Sequence, residues 1–162
     1  MFSHGVIGAL LFALAGAVYY RTHTRNLGDL SWLGLSRSMP FLAFAFVLAS
    51  AASMGIPGFS GFAAEITILI GAWQKFPLAV GVTGLGMVLV AAFTLRALQK
   101  AFFGDEAEGR ARQTNRPNEP ATWAEKLGAS LLIFATLAVG LHPRLLLDRI
   151  MPAVETMRFL QP

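Results

Sequence analysis

Uncharged stretches make up most of this chain, and polar connections separate them. Met1 to Tyr20 holds no Asp, Glu, Lys or Arg and closes on Tyr19-Tyr20-Arg21. The second uncharged run covers 27 residues from Ser38 to Ala64, meets a single acid at Glu65, and resumes for nine residues up to Lys75. Phe76 to Leu95 is a third run, of twenty residues, and Leu127 to Pro143 a shorter fourth, led by Trp123 as an interfacial aromatic. A helix rises about 1.5 Å per residue, so about twenty apolar residues cross a hydrocarbon core about 30 Å thick. The pattern predicts an all-α polytopic membrane helix bundle over residues 1-143, with about four spans near 2-20, 39-74, 77-103 and 123-142 and polar loops at 21-37 and 104-122. After Arg144 the spacing changes. A 100° projection puts Arg144, Asp148, Glu155 and Arg158 on one face and Leu146, Leu147, Ile150, Val154 and Met157 on the other. Residues 144-162 therefore read as an interfacial amphipathic tail, with Pro152 expected to kink or restart it.

The second span is predicted to be broken near 55-61, at Gly55-Ile56-Pro57-Gly58-Phe59-Ser60-Gly61. Proline removes a backbone donor and clashes with the preceding turn, while glycine admits conformations closed to other residues. Lipid cannot satisfy the freed backbone groups, so such a break survives only in protein or beside a wet cavity. Pro57, Gly58 and Gly61 are the candidate break residues. Glu65 lies ten residues before Lys75, about 15 Å of helix, which is roughly the middle of a bilayer core. A charge at that depth costs about 2.5–3.5 kcal/mol on insertion scales. Burial favours the neutral acid, and the positive end of a half-helix starting near Ser60 favours the ionised one; a group held between those pulls can titrate near neutral pH. Glu65 thus reads as a proton-relay residue, against the plainer reading of a structural acid bonded to a neighbouring helix. His4, one turn into the first run, is open between a relay and an ordinary packing residue.

Charge and composition narrow the class. With 55% hydrophobic and 14% charged residues in 162, the chain is too apolar for an ordinary soluble domain. It has no cysteine, which excludes disulfides, thiolate metal sites and thiolate-held iron–sulfur clusters. His4, His23 and His142 lack metal-ligand spacing. The net charge of +4 does not point to nucleic acid, because the basic residues flank apolar runs. Three arginines in 21-37 and six of the thirteen basic residues in Arg96 to Lys126 place both loops on the cytoplasmic or matrix side. The acids Asp105, Glu106 and Glu108 read as a solvated loop. A signal peptide is a poor reading of the first run, which has no basic region before it and no small-residue cleavage site. Gly5, Ala9 and Ala13 form a small-residue stripe suited to close approach by a neighbouring helix, and Gly81, Gly84 and Gly86 suggest similar contact.

Met1-Phe2-Ser3-His4-Gly5, Ala9-Leu10-Leu11-Phe12, Arg21-Thr22-His23-Thr24-Arg25, the segment Gly55 to Gly61 with Phe62-Ala63-Ala64-Glu65, and Ala101-Phe102-Phe103-Gly104 occur in order over nearly the whole chain. Together they resemble the C-terminal part of the antiporter-like subunit M (mitochondrial subunit 4) of proton-pumping NADH:quinone oxidoreductase, respiratory complex I. The resemblance implies about fourteen spans in the full subunit, arranged largely as inverted repeats around a polar axis. It implies that Glu65 is the titratable residue of the second broken helix and His4 the histidine linking it to a central lysine. That lysine and the first broken helix have no counterpart here, so the chain is expected to be a piece: a truncated sequence, a split gene product or one chain of a subunit encoded in parts. NADH, FMN, iron–sulfur clusters and quinone are expected on partner subunits, with no cofactor on this chain. The expected partners are other membrane-arm subunits, the missing N-terminal spans and the lipid bilayer, in a bacterial or mitochondrial inner membrane. The equivalent piece of a membrane-bound hydrogenase or cation/proton antiporter, and a non-conducting structural subunit, are the alternatives.

Overall fold

The computed structural model describes residues 1–31, 33–104 and 119–159, with side chains as far as residue 156. The acids Asp105, Glu106 and Glu108, and Met157 and Arg158 in the tail projection, lie outside what it describes at side-chain level. The described elements are helices: α1 Phe2–Thr22, α2 Leu27–Ser31, α3 Leu35–Ser38, α4 Pro40–Ser53, α5 Ser60–Trp73, α6 Pro77–Phe102, α7 Trp123–Leu141 and α8 Arg144–Phe159. Local chemistry sets their ends. Prolines open α4 and α6 at the first helical position, where the missing N–H is not needed. Thr122 and Glu125 form a capping box at the start of α7: the Thr122 hydroxyl accepts from Glu125 N–H, and the Glu125 carboxylate accepts from Thr122 N–H at 2.7 Å. His23 ends α1 in a left-handed conformation, its N–H donating to the Tyr19 carbonyl at 2.8 Å. The Arg25 guanidinium lies 4.5 Å from the centre of the Tyr19 ring.

Length separates the helices into two kinds. α1, α6 and α7 are long and apolar enough to cross a membrane. α4 and α5, at 14 residues each, are about 21 Å long and too short to cross singly, but they follow one another across the break. The protein is an all-α polytopic membrane bundle. At its centre lies α4, touched by α1, α3, α5, α6 and α7. Its Leu42, Ala45 and Ala49 pack with Leu10 and Leu14 of α1. The aromatic part of this core is Phe46 against Phe102, with ring centres 5.0 Å apart. Ala101 and Phe102 are the buried residues of α6, and Gly104 just after them lets the backbone come onto Ser31. The outer surface is apolar. Ile68, Ile70 and Trp73 of α5 and Leu78, Val82, Leu85 and Phe93 of α6 are all exposed, a surface suited to lipid or to further membrane helices.

Arg21 departs furthest from the sequence reading, in which it closed the Tyr19-Tyr20-Arg21 interfacial pattern, counted toward the charge of the 21-37 loop and opened one of the motifs of the resemblance, but had no partner. Its side chain is 2% exposed and clamps the end of α1 to the start of α7. Nη2 donates to Glu125 Oε2 at 2.7 Å and Nη1 to Glu125 Oε1 at 3.0 Å, a two-pronged pairing. The other contacts are carbonyls: Nη1 donates to Ala17 at 2.8 Å, Nε to Glu119 at 3.0 Å and Nη2 to Pro120 at 3.1 Å. The small-residue stripe is not used for packing among the described residues of this chain. Gly5, Ala9 and Ala13 face outward, and α1 instead buries Ile7, Leu10, Leu14, Ala17 and Val18, whose larger side chains fill the space against α4 and α7. Nor do Gly81, Gly84 and Gly86 meet a neighbour, since a Cβ added at any of them would find nothing within 4 Å among the described residues. Pro152 lies inside α8 without restarting it. The apolar face of α8 is left largely open, with Leu147, Ile150 and Val154 exposed.

Candidate functional site

α4 ends in a backbone motif that its own sequence supplies. The Ile56 N–H donates to the Ala51 carbonyl at 3.2 Å and the Gly55 N–H to the Ala52 carbonyl at 3.4 Å, with Gly55 left-handed at φ 69°. This pairing is the Schellman helix end, and glycine is favoured at its left-handed position because it has no Cβ. It satisfies two carbonyls that the break would otherwise orphan. The chain then turns through Pro57 and Gly58, the latter at φ 104°, and Phe59 is extended before α5 begins at Ser60. Gly58 thus supplies a second conformation that other residues rarely adopt.

Close approach at two further glycines closes this turn. A Cβ on Gly61 would lie 2.5 Å from the Ala52 carbonyl oxygen, so α5 starts directly against the end of α4. Gly140 of α7 lies against the Gly58 carbonyl and the Phe59 backbone, with no room for a side chain. The third contact is polar: the hydroxyls of Ser3 and Ser60 are hydrogen-bonded at 2.9 Å, and Ser60 is buried. Together these contacts fix where α5, and therefore Glu65, starts relative to α1.

Glu65 and His4, 61 positions apart, line one cavity of about 390 Å³ between α1, the end of α4 and the first turns of α5. Ser3, Ser53 and Gly61 also line it, with Ile7, Leu11 and Ile68 as apolar wall. Glu65 is half-buried and His4 is exposed. The carboxyl is held unevenly: Oε2 is enclosed and accepts no hydrogen bond from any described residue. A buried carboxylate oxygen without a donor is costly when charged, and the neutral acid or a water molecule relieves it. The cavity can therefore hold an exchangeable proton between a carboxyl, an imidazole and hydroxyl groups. Its volume is many times that of a single water, about 30 Å³.

Of the candidate break residues, Gly61 lines the cavity and packs on α4, whereas Pro57 and Gly58 do not line it. Ile56 and Pro57 are exposed among the described residues, so the protein or wet cavity that the sequence reading requires around the break is not supplied on that side by the helices of this chain. The helices of this chain cover the Phe59 to Gly61 side of the turn and leave the opposite side open. Gly55, Ser3, Ser60 and Gly140 were not singled out as site residues from the sequence. Gly55 and Ser60 entered the sequence reading as part of the break and as the start of its half-helix, and Ser3 within a motif of the resemblance, but with no role in holding the site; Gly140 carried no signal. Among the described residues no group of three or more His, Asp and Glu side chains is placed to hold a metal ion.

A model of the family described as NADH:quinone oxidoreductase/Mrp antiporter, transmembrane, matches residues 1–94. Among curated relatives, NAD(P)H-quinone oxidoreductase chain 4 of Synechococcus sp. (strain CC9902) is 34% identical over 164 residues, covering 97% of this chain and 29% of that protein. The protein of the same name from Prochlorococcus marinus (strain MIT 9303) is 32% identical over 163 residues, covering 96% of this chain and 28% of its own length. That of Acaryochloris marina (strain MBIC 11017) is 33% identical over 153 residues, with 90% and 28% covered. The chain spans less than a third of the length of these relatives.

Proposed function

The chain belongs to the NADH:quinone oxidoreductase/Mrp antiporter transmembrane family, and on that footing we propose that it is the C-terminal, last-four-span part of an antiporter-like membrane subunit of NADH:quinone oxidoreductase. In this reading it carries the outer part of a proton path. Glu65 takes up and releases the proton, and His4 links it to relay groups on spans that precede these in the full subunit. The observation that carries the proposal is the shared cavity, which brings an imidazole and an incompletely satisfied carboxyl together beside a broken helix. Moving one charge against 100 mV costs about 2.3 kcal/mol, which a roughly 50-fold swing in the proton affinity of Glu65 would cover. Such a swing follows if the charge of neighbouring relay groups changes.

Redox chemistry belongs to other subunits in this proposal. With no cysteine, the chain has no thiolate for an iron–sulfur cluster, and NADH, FMN and quinone are assigned to partners. The loops at 21-37 and 104-122 face the cytoplasm or matrix, and α8 lies along the opposite membrane surface. The test is Glu65→Gln in the assembled complex. Electron transfer from NADH to quinone should persist in part while the protons moved per NADH fall. An unchanged proton yield refutes the relay role, and loss of assembly alone in Glu65→Ala favours a structural subunit.

A further inference from the structure

The two oxygens of the Glu65 carboxyl have different surroundings, and Gly55 is the cause. The carboxyl lies against the Gly55 Cα on the side where a side chain would project. A Cβ built there would be 3.1 Å from Glu65 Cδ and 3.6 Å from Oε1, and would overlap Oε2. Oε2 is the enclosed oxygen and has no hydrogen-bond partner among the described residues. Oε1 is not enclosed, and the side chain opens on the cavity shared with His4.

We propose that Gly55 is a positioning residue for Glu65: the notch left by its missing side chain seats Oε2 and presents Oε1 to the cavity as the oxygen that exchanges the proton. The proposal deepens the relay reading and rests on it for the word proton; the seating of the carboxyl stands on geometry alone. A protonated carboxyl rotates between two orientations, and an unseated one can direct its O–H into either. Seating one oxygen removes half of those choices, so transfer with a partner across the cavity starts from an aligned geometry.

A helix end of this type favours glycine at Gly55 whether or not a carboxyl is nearby, and Gly58 provides the control. It sits three residues on in the same turn at φ 104°, a conformation at least as unfavourable to alanine, yet a Cβ there meets nothing within 4 Å. Gly58→Ala therefore carries backbone strain without touching Glu65. Because the obstructing group at Gly55 is the far end of a flexible side chain, Gly55→Ala displaces the carboxyl into the cavity in addition to straining the backbone.

The experiment uses the assembled complex in membranes and an apolar carbodiimide, which reacts with protonated carboxyls, followed by mass analysis of the peptide bearing residue 65. Gly55→Ala should raise the labelling rate at least threefold, and Gly58→Ala, which strains the same turn but puts no atom against the carboxyl, should raise it by less than half as much. Glu65→Asp, whose carboxyl is too short to reach the notch, should be labelled faster too, and adding Gly55→Ala to it should change nothing more. Equal labelling in Gly55→Ala and the unaltered complex, equal effects of the two alanine variants, or additive effects with Glu65→Asp each overturn the proposal. If Gly55→Ala does not assemble, Glu65→Asp decides alone: no rise in labelling overturns the notch. The relay reading fails separately, through a full proton yield in Glu65→Gln, which leaves the labelling pattern unaffected.

Discussion

Removing the fork of Arg21 while keeping the bulk of its stem, as in Arg21→Met, should loosen two helix ends at once. In the intact protein the guanidinium makes five donor contacts from a side chain that is 2% exposed. A hydrogen bond to a charged partner contributes about 1.5–3 kcal/mol net, and truncating one side of a buried ion pair costs about 3–5 kcal/mol. Glu125 is 30% exposed and keeps Thr122 N–H and Oγ1 as donors at 2.7 and 3.0 Å, so the lower end applies. The expected loss is about 3 kcal/mol, roughly a 150-fold rise in the local opening constant. Native-state amide exchange on the assembled complex reads it directly: the last turn of α1 and the first turn of α7 should exchange about 100-fold faster, and the middle of α4 should not change. Arg21→Lys keeps the charge but not the two-pronged fit and should recover about half of the free energy. Combined with Glu125→Gln, Arg21→Met should be non-additive by about 1.5–2 kcal/mol, since both remove one pairing. Exchange that rises less than threefold at both ends, or strictly additive effects, would refute the clamp.

Two smaller perturbations test the surrounding contacts. Gly140→Ala places a methyl group into the backbone at Gly58 and Phe59, and Gly61→Ala one against the Ala52 carbonyl; each should cost about 1–3 kcal/mol, read as reduced assembly on native gels, whereas Gly86→Ala, in open space, should assemble normally. Thr122→Ala removes the hydroxyl of the capping box and should weaken the first turn of α7 by about 1 kcal/mol, a roughly fivefold faster exchange confined to that turn.

How far the residues alone could lead depends on the range of each interaction. The break was legible because proline between glycines is a local backbone instruction, and the helical runs were legible because burial in lipid needs only length and apolarity. The small-residue stripes could not say which helices of this chain meet, for a physical reason: small residues permit close approach but do not require it. In α1 the larger Ile7, Leu10 and Leu14 took the interface, while Gly5 and Ala9 faced out. The Arg21 clamp joins groups 104 positions apart, and no periodicity reports such a pair; the nearest local hint was the Thr122 to Glu125 spacing of a capping box. Within the candidate site, Glu65 and His4 carried chemistry that could be named from residue type. Ser3, Ser60 and Gly140 could not be found that way, because their roles arise only when α1 and α7 meet the turn before α5.

The meeting of Gly140 with the Gly58 to Phe59 backbone has a mechanical side. Two main chains touch there with no side chain between them, so nothing soft lies in the joint to take up slack. α7 is a stiff rod about 28 Å long, tied to α1 at one end and seated on this joint at the other. A displacement of that rod along its axis must either part the two backbones or carry the start of α5 with it, and the carboxyl five residues further on travels as cargo.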